Sequence, residues 1–142
     1  MTYYGPQPEL RNVYIAASFD LAEAVRGLRD GMQDYVNITS SWCDEPPLVK
    51  DDYREKPIEA RYRANEDLLD IERSEIVAVF TEVDSTTGGL HVELGLALAL
   101  KKRVVIVGPR RNVFHYLNVV EHYPDVASFI NRMEYEHNEG YA

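Results

Sequence analysis

The chain has 142 residues and carries 15 lysines and arginines against 24 aspartates and glutamates, which gives a net charge of −9 at neutral pH. A chain of this length is expected to form a single domain over residues 1–142, and its acidity disfavours binding to a nucleic-acid polymer. The single cysteine excludes an internal disulfide, the N-terminus lacks the features of a signal peptide, and no apolar run is long enough to span a bilayer. We therefore expect a cytoplasmic protein without a membrane partner.

The first half of the chain is predicted to alternate between strands and helices. Apolar and β-branched runs indicate the strands, and Pro57 suits the first position of a long, half-exposed helix. A loop rich in proline and charge separates the second strand from that helix. The predicted elements are a strand at 12–17, a helix at 20–31, a strand at 35–42, a loop at 43–57 and a helix at 57–74.

The second half continues the same alternation. Its predicted elements are a strand at 75–81, a helix at 90–100, a strand at 103–107, a short turn or helix at 114–117, a weak strand at 119–123 and a helix from 124 to about 135. Strands that alternate with helices predict a parallel sheet covered on both faces. With five strands, we expect a flavodoxin-like three-layer sandwich with strand order 2-1-3-4-5, in which ligands bind at the carboxyl ends of the first and third strands.

Glu93 is the strongest candidate for a functional residue. It lies in GGLHVELG at 88–95, between an apolar strand and a helix that continues as LGLALAL at 94–100. A carboxylate at the start of a buried helix has little structural use unless something pairs with it. It either complements the helix dipole in the first turn, or is held ionised by that dipole and faces a pocket behind Gly88 and Gly89. We favour the second interpretation.

Two further features point to the same crevice. Tyr14 in the first strand places its phenol within reach of a ligand at the sheet edge, although a purely core role is the alternative. Asp67 and Asp70 lie near the C-terminal end of a predicted helix, where acids oppose the helix dipole. At least one of them is therefore expected to have another purpose, and a solvated polar face is the alternative, particularly for Asp70.

The segment before the apolar helix is a candidate cradle for an anion or a hydroxyl. It contains Thr87, Gly88 and Gly89, directly before a helix N-terminus. The four histidines lack the spacing of metal ligands, and the glycine motifs of nucleotide-binding loops are absent from the sequence. No metal and no cofactor are expected.

Three stretches, VYIAASF, EDLLDIERSEIVAVF and GGLHVELGLALALKKRVVIVG, resemble the nucleoside 2-deoxyribosyltransferase family, which includes the 2′-deoxynucleoside 5′-monophosphate N-hydrolases. The resemblance runs from about residue 12 to residue 117. It implies an enzyme that cleaves the N-glycosidic bond of a small-molecule 2′-deoxynucleoside or its 5′-monophosphate. The base is then released by hydrolysis, or the deoxyribosyl group passes to another base. It also implies that neighbouring subunits complete each pocket.

The resemblance assigns roles to individual residues. Glu93 matches the family's nucleophile, and Tyr14 matches a tyrosine near the sugar. Asp67 matches the acid that contacts the sugar and assists proton movement at the leaving base. Thr87 falls where the hydrolases have a phosphate-binding serine, which leans toward the hydrolase branch. A homodimer or larger oligomer is expected, because the helix at 90–100 is apolar on too many sides for one small sheet to cover.

Further substrate contacts are expected around the crevice. Ser18 and Phe19 follow the first strand, Trp42 ends the second strand and is able to stack on a base, and His115 is a candidate contribution to a neighbour's pocket. Asp20 stands where the monophosphate hydrolases carry an arginine. We therefore expect a 5′-phosphate to contribute less to recognition than it does in those hydrolases, unless another basic residue binds it. The candidates are Arg54, Lys56, Arg61, Arg63 and Arg110.

Two other functions fit parts of the pattern. A non-catalytic sensor of nucleosides or nucleotides would keep the pocket, but it has no need to keep Tyr14, Asp67 and Glu93 together. A related flavodoxin-like enzyme acting on another N-riboside would carry a P-G-G-x-G-T-x-x-E motif, which this sequence lacks. The sequence therefore favours the N-glycosidic enzyme.

Overall fold

The computed structural model describes residues 9–46, 52–84 and 88–140. Its five strands form one sheet in the order β2-β1-β3-β4-β5, and every neighbouring pair is parallel. This confirms the predicted flavodoxin-like arrangement. The strands are β1 (Arg11–Ala16), β2 (Val36–Ile38), β3 (Ile76–Phe80), β4 (Arg103–Val107) and β5 (Val120–Tyr123).

Helices cover both faces of the sheet. They are α1 (Ala22–Gly31), α2 (Asp52–Glu55), α3 (Pro57–Glu72), α4 (Gly89–Ala99) and α5 (Val126–Glu139), with single 3-10 turns at Phe19–Leu21, Ser41–Asp44 and Val113–Tyr116. Crossovers between parallel strands are right-handed, so α1 and the pair α3–α4 lie on opposite faces. Tyr35, between α1 and β2, contacts the His137 ring of α5, which places α5 on the face of α1. Within the described part of the chain, no helix is both long and apolar enough to cross a membrane.

The core lies on both faces of the central strands. All five residues of β3 are buried, as are the last four of β4, because helices cover these strands above and below. On the α5 face, the Phe129 ring meets Phe80 and Tyr123 edge-on, with centroids 6.0 and 6.3 Å apart. This packing fixes the carboxyl end of β3, which borders the predicted crevice.

The second strand is shorter than predicted. It ends at Ile38, and the expected continuation to residue 42 turns away as a 3-10 turn. The reason is a set of long-range hydrogen bonds to Ile15 of β1. The Ile15 N–H donates to Ser40 Oγ at 2.7 Å, and the Ile15 carbonyl accepts from Ser40 Oγ at 3.0 Å and from Trp42 Nε1 at 2.8 Å. Side chains thus replace the strand ladder and bring Trp42 over the end of β1.

The last helix also differs from its predicted bounds. Asp125 is its N-cap and accepts a hydrogen bond from the Ser128 N–H at 2.8 Å, so the helix begins two residues after Pro124. It continues to Glu139, beyond the expected end near residue 135, and stops where Gly140 takes a positive φ of 80°. A glycine at this position is a common helix end.

Candidate active site

A cavity of about 410 Å³ opens beside the carboxyl ends of β1 and β3. This is the switch point of the sheet, where the strand order reverses and where ligands are predicted to bind. Its walls come from the segment after β1, the Ser41–Asp44 turn and its neighbour, helices α2 and α3, and the start of α4. This volume suits one small organic ligand. The lining residues are Ala17, Ser18, Phe19, Asp20, Trp42, Glu45, Tyr53, Ala60, Arg63, Ala64, Asp67, Asp84, Gly89, Leu90 and Glu93.

The cavity brings together most of the residues proposed from the sequence. Six of them line it: Ser18, Phe19, Trp42, Asp67, Gly89 and Glu93. Gly88 lies just outside the lining and starts α4 as its N-cap, with a positive φ of 82° that favours glycine. Thr87 lies outside the described residues. Tyr14 and His115 are buried away from the lining surface.

Glu93 is a carboxyl whose proton affinity is set by burial. It is the fifth residue of α4, beyond the first turn, where the effect of the helix dipole has largely decayed. Burial, followed by the neighbouring charge of Asp67, raises the pKa of Glu93 to about 8. The expectation that the dipole keeps this carboxylate ionised is therefore wrong, because the loss of solvation outweighs it.

Asp67 faces the same cavity from α3. Burial is the main cause that raises its pKa to about 7, and repulsion from Asp70 and Glu66 adds to the effect. Asp67 in turn raises the pKa of Glu93. Two carboxyls that titrate near neutral pH and repel each other share protons as a pair. Near pH 7 this pair holds at least one proton, which is the state required of an acid–base couple.

Tyr14 lies beneath the cavity rather than in its wall. Its side chain is fully buried in β1, so the core role foreseen as an alternative describes the ring. The hydroxyl faces Glu93 and lowers the pKa of that carboxyl by hydrogen bonding. The contact between the Tyr14 hydroxyl and Glu93 does not have the geometry of a well-formed hydrogen bond. The hydroxyl oxygen has no other partner in the described part of the protein. Burial and the charge of Glu93 raise the pKa of the phenol, which therefore stays neutral.

An aromatic corner forms one side of the cavity. The rings of Phe19 and Trp42 lie with centroids 5.7 Å apart at an angle of 59°. Trp42 is 9% exposed, and its indole N–H donates to the Ile15 carbonyl. The ring therefore belongs to the core and also lines the cavity. Ser18 caps the turn that carries Phe19, because its Oγ accepts from the Asp20 N–H. This corner offers a flat apolar surface to a planar ligand.

Helix α3 contributes a face that sequence reasoning did not identify. Ala60, Ala64 and Asp67 recur at helical spacing and line the cavity together with Arg63. The two alanines leave room for a ligand, and this spacing is the signal in the sequence that could have located the face. Glu45, Tyr53 and Asp84 were also missed, since they lie in short connections or, for Tyr53, in the four-residue helix α2, where no periodic pattern develops.

Asp70 has a structural role rather than a solvated one. It is 4% exposed, and one carboxylate oxygen accepts hydrogen bonds from the N–H of Ser41 at 3.1 Å and from its hydroxyl at 2.6 Å. Arg73 pairs with the other oxygen at 3.4 Å. Asp70 thereby ties α3 to the turn that carries Trp42.

His115 does not reach the cavity of its own chain. It is 2% exposed, its Nδ1 accepts from the Arg111 N–H at 2.9 Å, and burial lowers its pKa. Phe114 and Tyr116 on either side are exposed instead. Among the residues that the structure describes, no group of histidine, cysteine, aspartate or glutamate is arranged to hold a metal ion.

Comparison with known proteins gives a likeness to solved structures. No protein-family model matches the chain, and no curated protein sequence matches it. Among solved structures, the chain is similar to the CMP N-glycosidase BcmB of Clostridium botulinum, with a TM-score of 0.55 and 13% sequence identity over 88% of this chain and 99% of that chain. At this identity the likeness supports the fold.

Proposed function

We propose that the protein cleaves the N-glycosidic bond of a nucleoside, with a 2′-deoxynucleoside or its 5′-monophosphate as the expected substrate class. The observation that carries the proposal is the meeting of Glu93 and Asp67, both with raised pKa values, at one ligand-sized cavity at the switch point. The similarity of fold to an enzyme described as a CMP N-glycosidase also supports it.

The chemistry needs an acid and a nucleophile on either side of the scissile bond. Departure of the base leaves positive charge on the sugar, and a nearby carboxylate stabilises this charge or bonds to the anomeric carbon. Glu93 has that role in our proposal. Asp67 contacts the sugar and delivers a proton toward the departing base, which makes the base a better leaving group. The neutral Tyr14 phenol stabilises Glu93 in its ionised form.

The raised pKa values of the two carboxyls have a mechanistic consequence. In the empty site Glu93 and Asp67 together hold at least one proton near pH 7. Attack by Glu93 requires this carboxyl to be ionised, so the proton has to transfer to Asp67 or to the base once the substrate binds. Positive charge that develops on the sugar favours this transfer, because a nearby cation stabilises the ionised carboxyl.

The aromatic corner would hold the base. The rings of Phe19 and Trp42 suit stacking with a heterocycle, while α3 and α4 present the two carboxyls to the sugar. Water that reaches the anomeric carbon gives hydrolysis, and a second base at the corner gives transfer of the sugar.

The test is incubation of the protein with ribo- and deoxynucleosides and their 5′-monophosphates, with and without a free acceptor base, followed by chromatography of the released base. Release without an acceptor identifies a hydrolase, and exchange only with an acceptor identifies a transferase. Glu93→Gln is the matched control and is expected to lose at least about 10³-fold in turnover, in the range of single catalytic groups. Binding without turnover across the whole panel would indicate a sensor and overturn the proposal.

A further inference from the structure

Arg63 is the one cationic side chain on the cavity lining among the residues that the structure describes. Five acidic residues share the lining with it: Asp20, Glu45, Asp67, Asp84 and Glu93. A phosphate group that entered the cavity would need a cation with free hydrogen-bond donors, since phosphate recognition depends on charge-assisted hydrogen bonds. Among the described residues, Arg63 is therefore the side chain on which recognition of a phosphate in this cavity depends.

The protein itself occupies every nitrogen of the Arg63 guanidinium. Nε lies 3.1 Å from Glu45 Oε2, Nη2 donates to Glu59 Oε1 at 2.8 Å, and Nη1 donates to the carbonyl of Pro46. The Arg63 side chain is 15% exposed, so its position is fixed by these partners more than by solvent. Each nitrogen thus has one partner within the protein, and three of the five N–H donors of the guanidinium are used in this way.

Charge around Arg63 is also unfavourable to an anion. Burial, followed by the neighbouring Glu66 of α3, raises the pKa of Glu45 to about 7. The Glu45–Glu66 pair thus keeps at least one negative charge near neutral pH, and Glu59 adds another. Together these carboxyls exceed the single positive charge of Arg63 in either protonation state of the pair.

We propose that Glu45 is a specificity-determining residue, which holds Arg63 away from ligands and so restricts the cavity to N-glycosides without a phosphate group. This inference rests on the proposed N-glycosidic function and goes beyond it by naming the substrate class. Glu45 is the partner to consider, because it lines the cavity beside Arg63, whereas Glu59 approaches Arg63 from outside the lining. The similar fold of BcmB belongs to an enzyme described as acting on CMP, which carries a phosphate.

The decisive variant is Glu45→Gln, which keeps the shape of the side chain and removes its charge. We expect the ratio of kcat/KM for a nucleoside 5′-monophosphate to kcat/KM for the nucleoside to rise at least tenfold. The matched control is Glu72→Gln, which makes the same change of charge on an exposed position of α3 and should leave the ratio unchanged. The double variant Glu45→Gln, Arg63→Gln should lose the gain, because the gain acts through Arg63.

A second measurement does not depend on turnover. Inorganic phosphate at millimolar concentration should raise the Tm of Glu45→Gln, and should leave the Tm of the wild-type protein and of the double variant unchanged. This result supports the role of Glu45 even if no nucleoside is cleaved, so failure of the proposed reaction is recognised separately. The inference is overturned if the wild type already prefers the monophosphate tenfold, or if Glu45→Gln neither gains that preference nor binds phosphate.

Discussion

At the scale of single residues, burial of carboxyls is the property that shapes the site. Glu93 ionises less readily in the folded chain than in the unfolded one, because its pKa rises from 4.5 to about 8 on folding. Each unit of such a shift corresponds to about 1.4 kcal/mol of free energy. The folded protein is thus less stable with Glu93 ionised than with Glu93 protonated. In return, the carboxyl titrates near neutral pH.

Because ionisation of Glu93 lowers the stability of the fold, Glu93→Gln should affect the unfolding free energy in a pH-dependent way. Gln cannot ionise, so the variant avoids a cost that the wild type incurs as pH rises from the unfolded pKa through the folded one. Urea unfolding should give nearly equal free energies at pH 5 and a more stable variant at pH 9, by up to about 5 kcal/mol. Glu72→Gln, on the exposed side of α3, serves as the control. A difference that stays constant with pH would contradict the assignment.

The hydroxyl of Tyr14 gives a second prediction at this scale. Tyr14→Phe removes only an oxygen that is buried and has no well-formed hydrogen bond, so the unfolding free energy should change by less than about 1 kcal/mol. Loss of the group that lowers the pKa of Glu93 should move the rising limb of the pH–rate profile to higher pH and reduce turnover at pH 7. If the pH–rate profile of Tyr14→Phe did not move, Tyr14 would have only a packing role in the core.

The sequence predicted where these residues lie better than it predicted their states of protonation. Glu93, Asp67 and Tyr14 were found from position and resemblance, and the structure brings them to one place. Their proton affinities were not predictable, because desolvation depends on what the rest of the fold packs around each carboxyl. The ion pair between Arg63 and Glu45 was not predictable for the same reason, since Glu45 lies 18 residues earlier in the chain.

At the scale of elements, the sequence predicted the bounds of a strand correctly where those bounds depend on neighbouring residues in the chain. The bounds of β4 agree with the prediction residue for residue, because a run of β-branched residues between a lysine pair and a glycine leaves little choice. The second strand was predicted too long, because its end depends on hydrogen bonds from Ser40 and Trp42 to Ile15, more than 20 residues away. The turn that results carries Trp42, one of the two rings of the aromatic corner.

Asp70→Ala tests how firmly that turn is attached to α3. The substitution removes the acceptor of both Ser41 hydrogen bonds and should cost about 1–3 kcal/mol of unfolding free energy. Asp70→Asn, which keeps an acceptor oxygen, should recover part of the loss, and Glu72→Ala on the exposed side of α3 should change stability by about 0.5 kcal/mol at most. Fluorescence of Trp42, the single tryptophan, reports the turn directly. An unchanged free energy for Asp70→Ala would show that the turn does not depend on it.

At the scale of the whole molecule, an arginine cluster lies at the amino ends of β1 and β4, opposite the carboxyl ends that border the cavity. Glu136 of α5 accepts hydrogen bonds from Arg11 of β1, Arg103 of β4 and Arg132 of its own helix. The hydrogen bond from Arg103 is the largest cause that lowers the pKa of Glu136, to about 2. One carboxylate thus joins two strands and the last helix.

The sign of that shift sets the expected acid response. A lowered folded pKa adds stability above the unfolded pKa of about 4.5, and this stability is lost as pH falls through about 2. Glu136→Gln should therefore lower the unfolding free energy by about 3 kcal/mol at pH 6 and by about 1 kcal/mol at pH 3. Glu139→Gln, exposed on the same helix, is the control. A loss that is equal at both pH values would contradict a role for the ionised form.

The surface formed by α3 and α4 exposes several apolar side chains. Ile58 and Tyr62 on α3 are 79% and 61% exposed, and Val92 on α4 is 65% exposed. The two helices pack side by side, so these apolar side chains share one face of the molecule. An exposed apolar face of this kind marks an interaction surface in soluble proteins. The apolar character of α4 along the sequence is thereby explained only in part by the chain's own core.

We therefore expect a homodimer that buries this face, and light scattering at micromolar concentration should give twice the chain mass of 16.3 kDa. Ile58→Glu should shift the protein to monomers, because a buried, unpaired carboxylate at the interface is costly. Tyr135→Glu adds the same charge to an exposed position on α5, on the opposite face of the sheet, and should leave the dimer intact. Wild-type protein that is monomeric at this concentration would refute the expectation. A dimer that persists in Ile58→Glu would place the interface elsewhere, with the exposed Phe114 and Tyr116 as the next surface to change.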